Sequence, residues 1–313
     1  MGPCRLGRAP SRPVFAKAVF SGKEAETEVG MQIESIKGGV GRRSGVLSGQ
    51  NVVPLANDLR LSIPVAGTMV RLDIRLMRER VTLADLVPLA YEVCDAITET
   101  ALEAHPRRWN VPCCKGCSAC CSRCLVPISP PEAFYLAQCI RREPPSRRNM
   151  TELALLGAAR RILKSAPPEI VLRPMSGDPT AGAGALLAVS RWYEGLKVAC
   201  PFLHFGCCSM YEQRPLACRQ YYVFGSAEGC SGRPGVAEPV GFPVSMVDVL
   251  VRLTAELEGT APEAIILPLA PAWVAIEPAR GCRTWPARTA VAAMIRIITE
   301  MAEASTASTA LAS

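Results

Sequence analysis

The stretch VPCCKGCSACCSRCLVP, residues 111–127, decides how the rest of the chain is read. It sets Cys113, Cys114, Cys117, Cys120, Cys121 and Cys124 side by side. Thiols this crowded would be oxidised, mispaired or idle in an ordinary core, so the economical reading is that several are thiolate ligands of a metal. Such a site organises loops, and the elements around it must be short and interrupted. Eleven of the fifteen cysteines lie in two stretches, Cys113–Cys124 and Cys200–Cys230. Clustering of this kind favours metal over scattered disulfide staples.

Working outward, 313 residues suffice for a real hydrophobic core, so a metal is not needed for reasons of size. The N-terminal apolar run is short, is broken by Lys17 and has no cleavage site after it, which leads us to expect a cytoplasmic, reducing location. The longest apolar stretch, Ala261 to Ile276, is interrupted by Pro262, Glu263, Pro268 and Pro271, so no membrane span is expected. The formal charge of +7 omits the thiolates: eight of them around two divalent ions would bring about −4, which surplus arginine can balance. Arg141, Arg142, Arg147 and Arg148 have no interleaved aromatics, which argues against nucleic-acid binding and leaves a protein or small-molecule substrate as the expected partner.

Residues 1–58, rich in Gly, Ser and Arg, read as a weakly ordered extension. The alternation of Leu61, Ile63, Val65, Val70, Leu72 and Ile74 predicts a hairpin turning at Ala66 and Gly67. Thr82 and Asp85 open a helix whose buried stripe includes Cys94, read as a core residue, and which ends at His105. Ser129, Pro130 and Glu132 start another, with Cys139 as packing. Ser146 or Asn149 begins a helix to Lys164, with Leu153, Leu156, Ile162 and Leu163 as its apolar face. Residues 174–184 read as a loop, and Leu186 to Lys197 as a helix leading to the second cysteine group. Helices over Val244 to Glu258 and Arg288 to Met301 follow, joined by a proline-rich segment. The expected architecture is mainly α: a single helical domain over 59–304, with Cys-rich and Pro-rich loops around a metal site, the short β hairpin at its N-terminal side and a flexible tail over 305–313.

Cys114, Cys117, Cys120 and Cys121 spell CxxCxxCC. Two intervening residues let a tight turn aim both sulfurs at one centre, with Gly116 giving the backbone its freedom. Adjacent Cys120 and Cys121 should diverge and suit two different ions, or one ion and one partner sulfur nearby. The second group offers Cys200, Cys208, Cys218 and Cys230. Pro215 opens a short helix that sets Cys218 near its positive end, and Arg214 and Arg219 stand ready to offset anionic sulfur. Eight such cysteines divide into two four-sulfur sites, or one cluster with spare thiols, and zinc and iron–sulfur both accept them.

Three other readings compete. Cys113, Cys117 and Cys120 spell the radical-SAM spacing CxxxCxxC, without the strand–helix alternation that motif requires. Cys114, Cys117, Cys120 and Cys124 fit a bacterial ferredoxin run, but Leu125 stands where proline belongs. A thioredoxin-like pair would not sit in a crowd of thiols. His204 reads as a ring packed beside Phe202 and Phe205, and Tyr211, Tyr221, Tyr222 and Trp192 as core.

CxxCxxCC followed downstream by CysProPheLeu, CysSerMetTyr and ArgProLeuAlaCysArg resembles the YkgJ-like cysteine cluster family, a zinc- or iron-chelating domain. The resemblance spans roughly residues 80–300. It implies that Cys114, Cys117, Cys120, Cys121, Cys200, Cys208 and Cys218 hold the metal, with Cys230 matching a further position in longer members. Cys113, Cys124 and Cys207 are additions, so the ligand within each pair Cys113/Cys114, Cys121/Cys124 and Cys207/Cys208 stays open. The implied cofactor is an iron–sulfur cluster or zinc. The implied function is an oxidoreductase or an iron–sulfur-dependent protein modifier, against the alternative of a zinc-stapled interaction module without catalysis.

Overall fold

The computed structural model describes residues 31–35, 58–165, 167 and 179–312. Ten α-helices dominate these residues, and the strands beside them are mostly two- and three-residue pairs, so the chain is mainly α. The exception is one three-stranded antiparallel sheet. Strand β1 (Met31–Ser35) pairs with β3 (Thr68–Leu76), which also pairs with β2 (Asp58–Val65).

The hairpin turns where the sequence places it. Ala66 and Gly67 both have positive φ, 48° and 79°, the tight two-residue geometry whose twist matches that of the flanking strands. Leu61 lies opposite Leu72 and Ile63 opposite Val70, so the alternating residues form one buried face. Strand β1 lies within the stretch expected to be a weakly ordered extension, and most of that stretch is outside the described residues.

Helix α1 (Val87–Ala104) packs on this sheet. Thr82 and Asp85 form the expected start, with the Thr82 N–H and hydroxyl both donating to Asp85 Oδ2, at 2.8 and 2.7 Å. Cys94 is fully buried in the same core, and burial pushes its thiol up to about 12. His105 caps the helix and stacks on Phe224 at 4.6 Å.

Helix α2 (Pro130–Arg142) begins with the capping box that the sequence predicts at Ser129 and Glu132. Helix α3 (Pro145–Lys164) corrects the expected face. Thr151, Leu155, Ala158 and Ile162 are buried, while Leu153, Leu156 and Leu163 are exposed. Two stripes at helical spacing compete on this helix, and tertiary packing selects the one that meets Val189, Tyr193 and Ile266.

Helix α4 (Pro179–Leu196) reaches into the stretch read as a loop, of which residues 174–178 lie outside the described residues. Short helices α5 (Leu216–Arg219) and α6 (Ala227–Cys230) follow among the thiol loops. Helix α7 (Met246–Glu258) is capped by Ser245 and ends at left-handed Gly259. The proline-rich segment folds into α8 (Ala270–Ile276) and α9 (Pro278–Gly281). Helix α10 (Ala287–Ala312) continues well into the expected flexible tail. Helices α1, α7 and α10 close the main core over the sheet. A second core around Ile128, Leu136, Phe202 and Leu267 backs the cysteine segments. No described helix is long and apolar enough to cross a membrane.

Candidate functional site

The first cysteine segment is a chain of tight turns. The Cys117 N–H donates to the Cys114 carbonyl at 3.0 Å, and Gly116 between them takes φ +94°, a conformation that favours glycine. A single 3₁₀ turn, Cys120–Ser122, then carries the vicinal pair. The second segment returns beside it: the Cys200 N–H donates to the Cys121 carbonyl at 2.7 Å. A two-residue hairpin presents Cys207 and Cys208, with the Ser209 N–H bonded to the Phe202 carbonyl at 2.8 Å.

These turns enclose a cavity of about 110 Å³. Its walls include Cys113, Cys114, Cys117, Cys120, Cys121, Cys200, Cys208, Cys218 and Cys230. All eight cysteines singled out by the sequence therefore meet at one place, together with Cys113. Among the doubled cysteines, Cys207 is exposed and does not line the cavity, whereas Cys208 does. Cys124 stands behind the wall, its thiol 3.8 Å from the Cys230 carbonyl. All cysteines among the described residues are free thiols.

The neighbouring Cys121 thiol and burial push the Cys120 pKa far above its ordinary value. One expectation about these sulfurs is corrected. Pro215 caps rather than enters α5, and at four residues the helix has little dipole to offer. Burial dominates at Cys218 and raises its pKa well above the ordinary thiol value, with Cys200, Cys120 and Cys208 adding to the shift. Burial likewise pushes Cys113 up to about 11 and Cys200 up to about 12.

The two flanking arginines have separate roles. Arg219 is buried and used up structurally, donating to Asp95 at 2.6 Å, to the Arg214 carbonyl at 3.1 Å and to the Glu212 carbonyl, and stacking on Tyr91. Arg214 lines the thiol cavity, and its buried Nε has no hydrogen-bond partner among the described residues. Tyr211 is sandwiched between Arg214 at 4.2 Å and Lys115 at 4.9 Å, and Lys115 pairs with Glu212 at 2.9 Å. The latter contact joins the two cysteine segments a second time, although so exposed a pair contributes at most about 1 kcal/mol.

Sequence reasoning placed the tyrosines in the core, but Tyr211, Tyr221 and Tyr222 all line the thiol cavity. Only tertiary placement distinguishes such a ring from a core aromatic. Tyr221 shares the cavity wall with Cys230. His204 does not pack against Phe205, which is 100% exposed at the hairpin tip. Glu132 also passed unnoticed beyond its capping role. It is fully buried, and its second oxygen accepts the Leu216 N–H at 2.7 Å, fixing α5 against α2.

The donor chemistry fits a thiophilic metal, with thiols all round and an unsatisfied cationic N–H in the wall. The fit is one of donor type and enclosure, not of a finished shell. No three His, Cys, Asp or Glu side chains among the described residues are gathered so as to hold a metal ion. No protein family, curated protein or solved structure matches the chain.

Proposed function

We propose that the chain is a metal-binding cysteine-cluster protein of the YkgJ-like kind, and that its thiol cavity is the seat of an iron–sulfur cluster. Cys114, Cys117, Cys120, Cys121, Cys200, Cys208, Cys218 and Cys230 would hold the metal. The observation that carries this reading is the meeting of thiols from both segments around one cavity.

Size favours a cluster over zinc. A single zinc ion draws four sulfurs to roughly 2.3 Å and leaves no room between them. A cavity of about 110 Å³ is space for more than a single ion. An iron–sulfur cluster supplies electron transfer when bound. The protein's own groups suit anionic sulfur: Arg214 offers a buried donor, Tyr221 brings a hydroxyl to the same wall, and Phe202 and Leu267 shield one side from water. The function this supports is an oxidoreductase or an iron–sulfur-dependent modifier acting on a protein or small molecule.

A zinc-stapled interaction module is the second reading, and one observation favours it. The hairpin that carries Cys207 and Cys208 presents Phe205 fully exposed at its tip, as a loop built to be recognised would. Protein purified without oxygen decides between the two. Visible absorption with iron and acid-labile sulfide supports the cluster, and colourless protein with stoichiometric zinc supports the module. Protein with neither metal removes both.

A further inference from the structure

A second cavity, of about 280 Å³, lies on the far side of Phe202 and Leu267 from the thiols, bounded by α2, α3 and α8. It exists because small side chains face one another there. Ala133 and Ala137 on α2 and Ala270 and Ala275 on α8 leave the helices in register without filling the space between them. Protein interiors otherwise pack to the density of organic crystals, so an apolar volume of this size is an unfilled site.

Among the described residues two charged ones line it, Arg141 in the last turn of α2 and Glu152 on α3. Both are exposed, they carry opposite signs, and among the described residues neither has an ion-pair partner. An apolar pocket with one cation and one anion in its lining complements a molecule of the same composition. Such a molecule has an apolar body, a carboxylate for the guanidinium fork and an ammonium for the carboxylate.

We propose that this cavity is a binding site for a small zwitterion with an apolar side chain, an α-amino acid of the leucine or methionine class. Its carboxylate pairs with Arg141, its ammonium with Glu152, and its side chain fills the space walled by Ala137, Ile140, Leu155 and Val274. The pocket's volume of about 280 Å³ is room for a small molecule of this class. The proposal does not depend on what the thiol cavity holds.

Calorimetric titration of the full-length protein with L-leucine and L-methionine tests it, alongside isocaproate, which lacks the ammonium, and isopentylamine, which lacks the carboxylate. One or both amino acids should bind, and each truncated analogue should bind a few-fold more weakly, the loss expected when a solvent-exposed charge loses its partner. Arg141→Gln and Glu152→Gln should each weaken the amino acid by a similar factor, and Ala137→Leu should abolish binding by filling the cavity. Arg141 and Glu152 are exposed, so their variants test the site with the fold intact even where Ala137→Leu fails to fold. Absence of amino-acid binding, isocaproate or isopentylamine binding as tightly as leucine, or indifference to both charge substitutions would each overturn the proposal.

Discussion

The Cys200 N–H donates to the Cys121 carbonyl across 2.7 Å, tying together two segments that lie far apart in the chain through their backbones. The sandwich of Tyr211 between Lys115 and Arg214 ties them again. Protein contacts thus join the thiol loops, on a core that already buries α1, α7 and α10. Removing bound metal with a chelator should therefore lower the melting temperature and leave the helical circular dichroism and a cooperative melt in place. Collapse of the far-ultraviolet signal on chelation would mean that the metal, not these contacts, builds the loops.

The hairpin separates two neighbouring cysteines by function. Cys208 faces the thiol cavity and Cys207 faces solvent. Cys207→Ala should leave metal content unchanged, and Cys208→Ala should weaken metal retention at least ~10-fold, by comparison with losses seen on disturbing the surroundings of metal ligands. Metal and sulfide per chain after anaerobic purification and dialysis give the measurement. Equal effects would remove Cys208 from the ligand set.

Glu132 accepts the Ser129 N–H and hydroxyl through one oxygen, both at 2.9 Å, and the Leu216 N–H through the other. Glu132→Gln puts an amide donor where an acceptor is required and should cost about 1–3 kcal/mol in denaturant unfolding. Burial lifts the carboxyl above its ordinary 4.5, so the folded chain holds a proton that the unfolded chain releases. The stability linked to that proton is whole below about 4.5 and falls as pH rises through the native value. The glutamine variant does not titrate, so the gap between it and the wild type should narrow as the solution is made less acidic. A gap independent of pH would mean that burial does not shift this carboxyl.

Much of this was legible because it is local. The positive-φ pair Ala66–Gly67 and the capping boxes at Thr82–Asp85 and Ser129–Glu132 are each settled within a few residues of chain. Spacing alone also pointed to the meeting of the cysteine segments. What remained hidden depends on neighbours distant in sequence. Leu153, Leu156 and Leu163 have helical periodicity, yet Leu155, Ala158 and Ile162 find the partners. Residues 179–184 carry glycine and alanine that composition reads as loop, and they join α4. The three tyrosines beside the thiols look like any core aromatics until the loops close.

Two left-handed glycines should respond very differently to alanine. At Gly225 (φ +93°) a Cβ would lie 2.4 Å from the Val236 carbonyl oxygen, which is itself fixed by the Ser226 N–H at 2.8 Å. At Gly206 (φ +77°) nothing lies within 4 Å. Gly225→Ala combines backbone strain with a collision that cannot relax, for roughly 2–4 kcal/mol, against about 1 kcal/mol for Gly206→Ala. Thermal melts of both variants provide the comparison, and similar losses would mean that the strand pair Val223–Gly225 with Ala237–Pro239 yields more easily than its geometry implies.

Phe202 and Leu267 form a thin partition with a chamber on either face. The ring is 1% exposed. Trimming it to alanine would open a passage and merge sulfur-lined and hydrocarbon-lined space into one continuous hollow. Whatever occupies either room is thus separated from the other by the thickness of a single side chain.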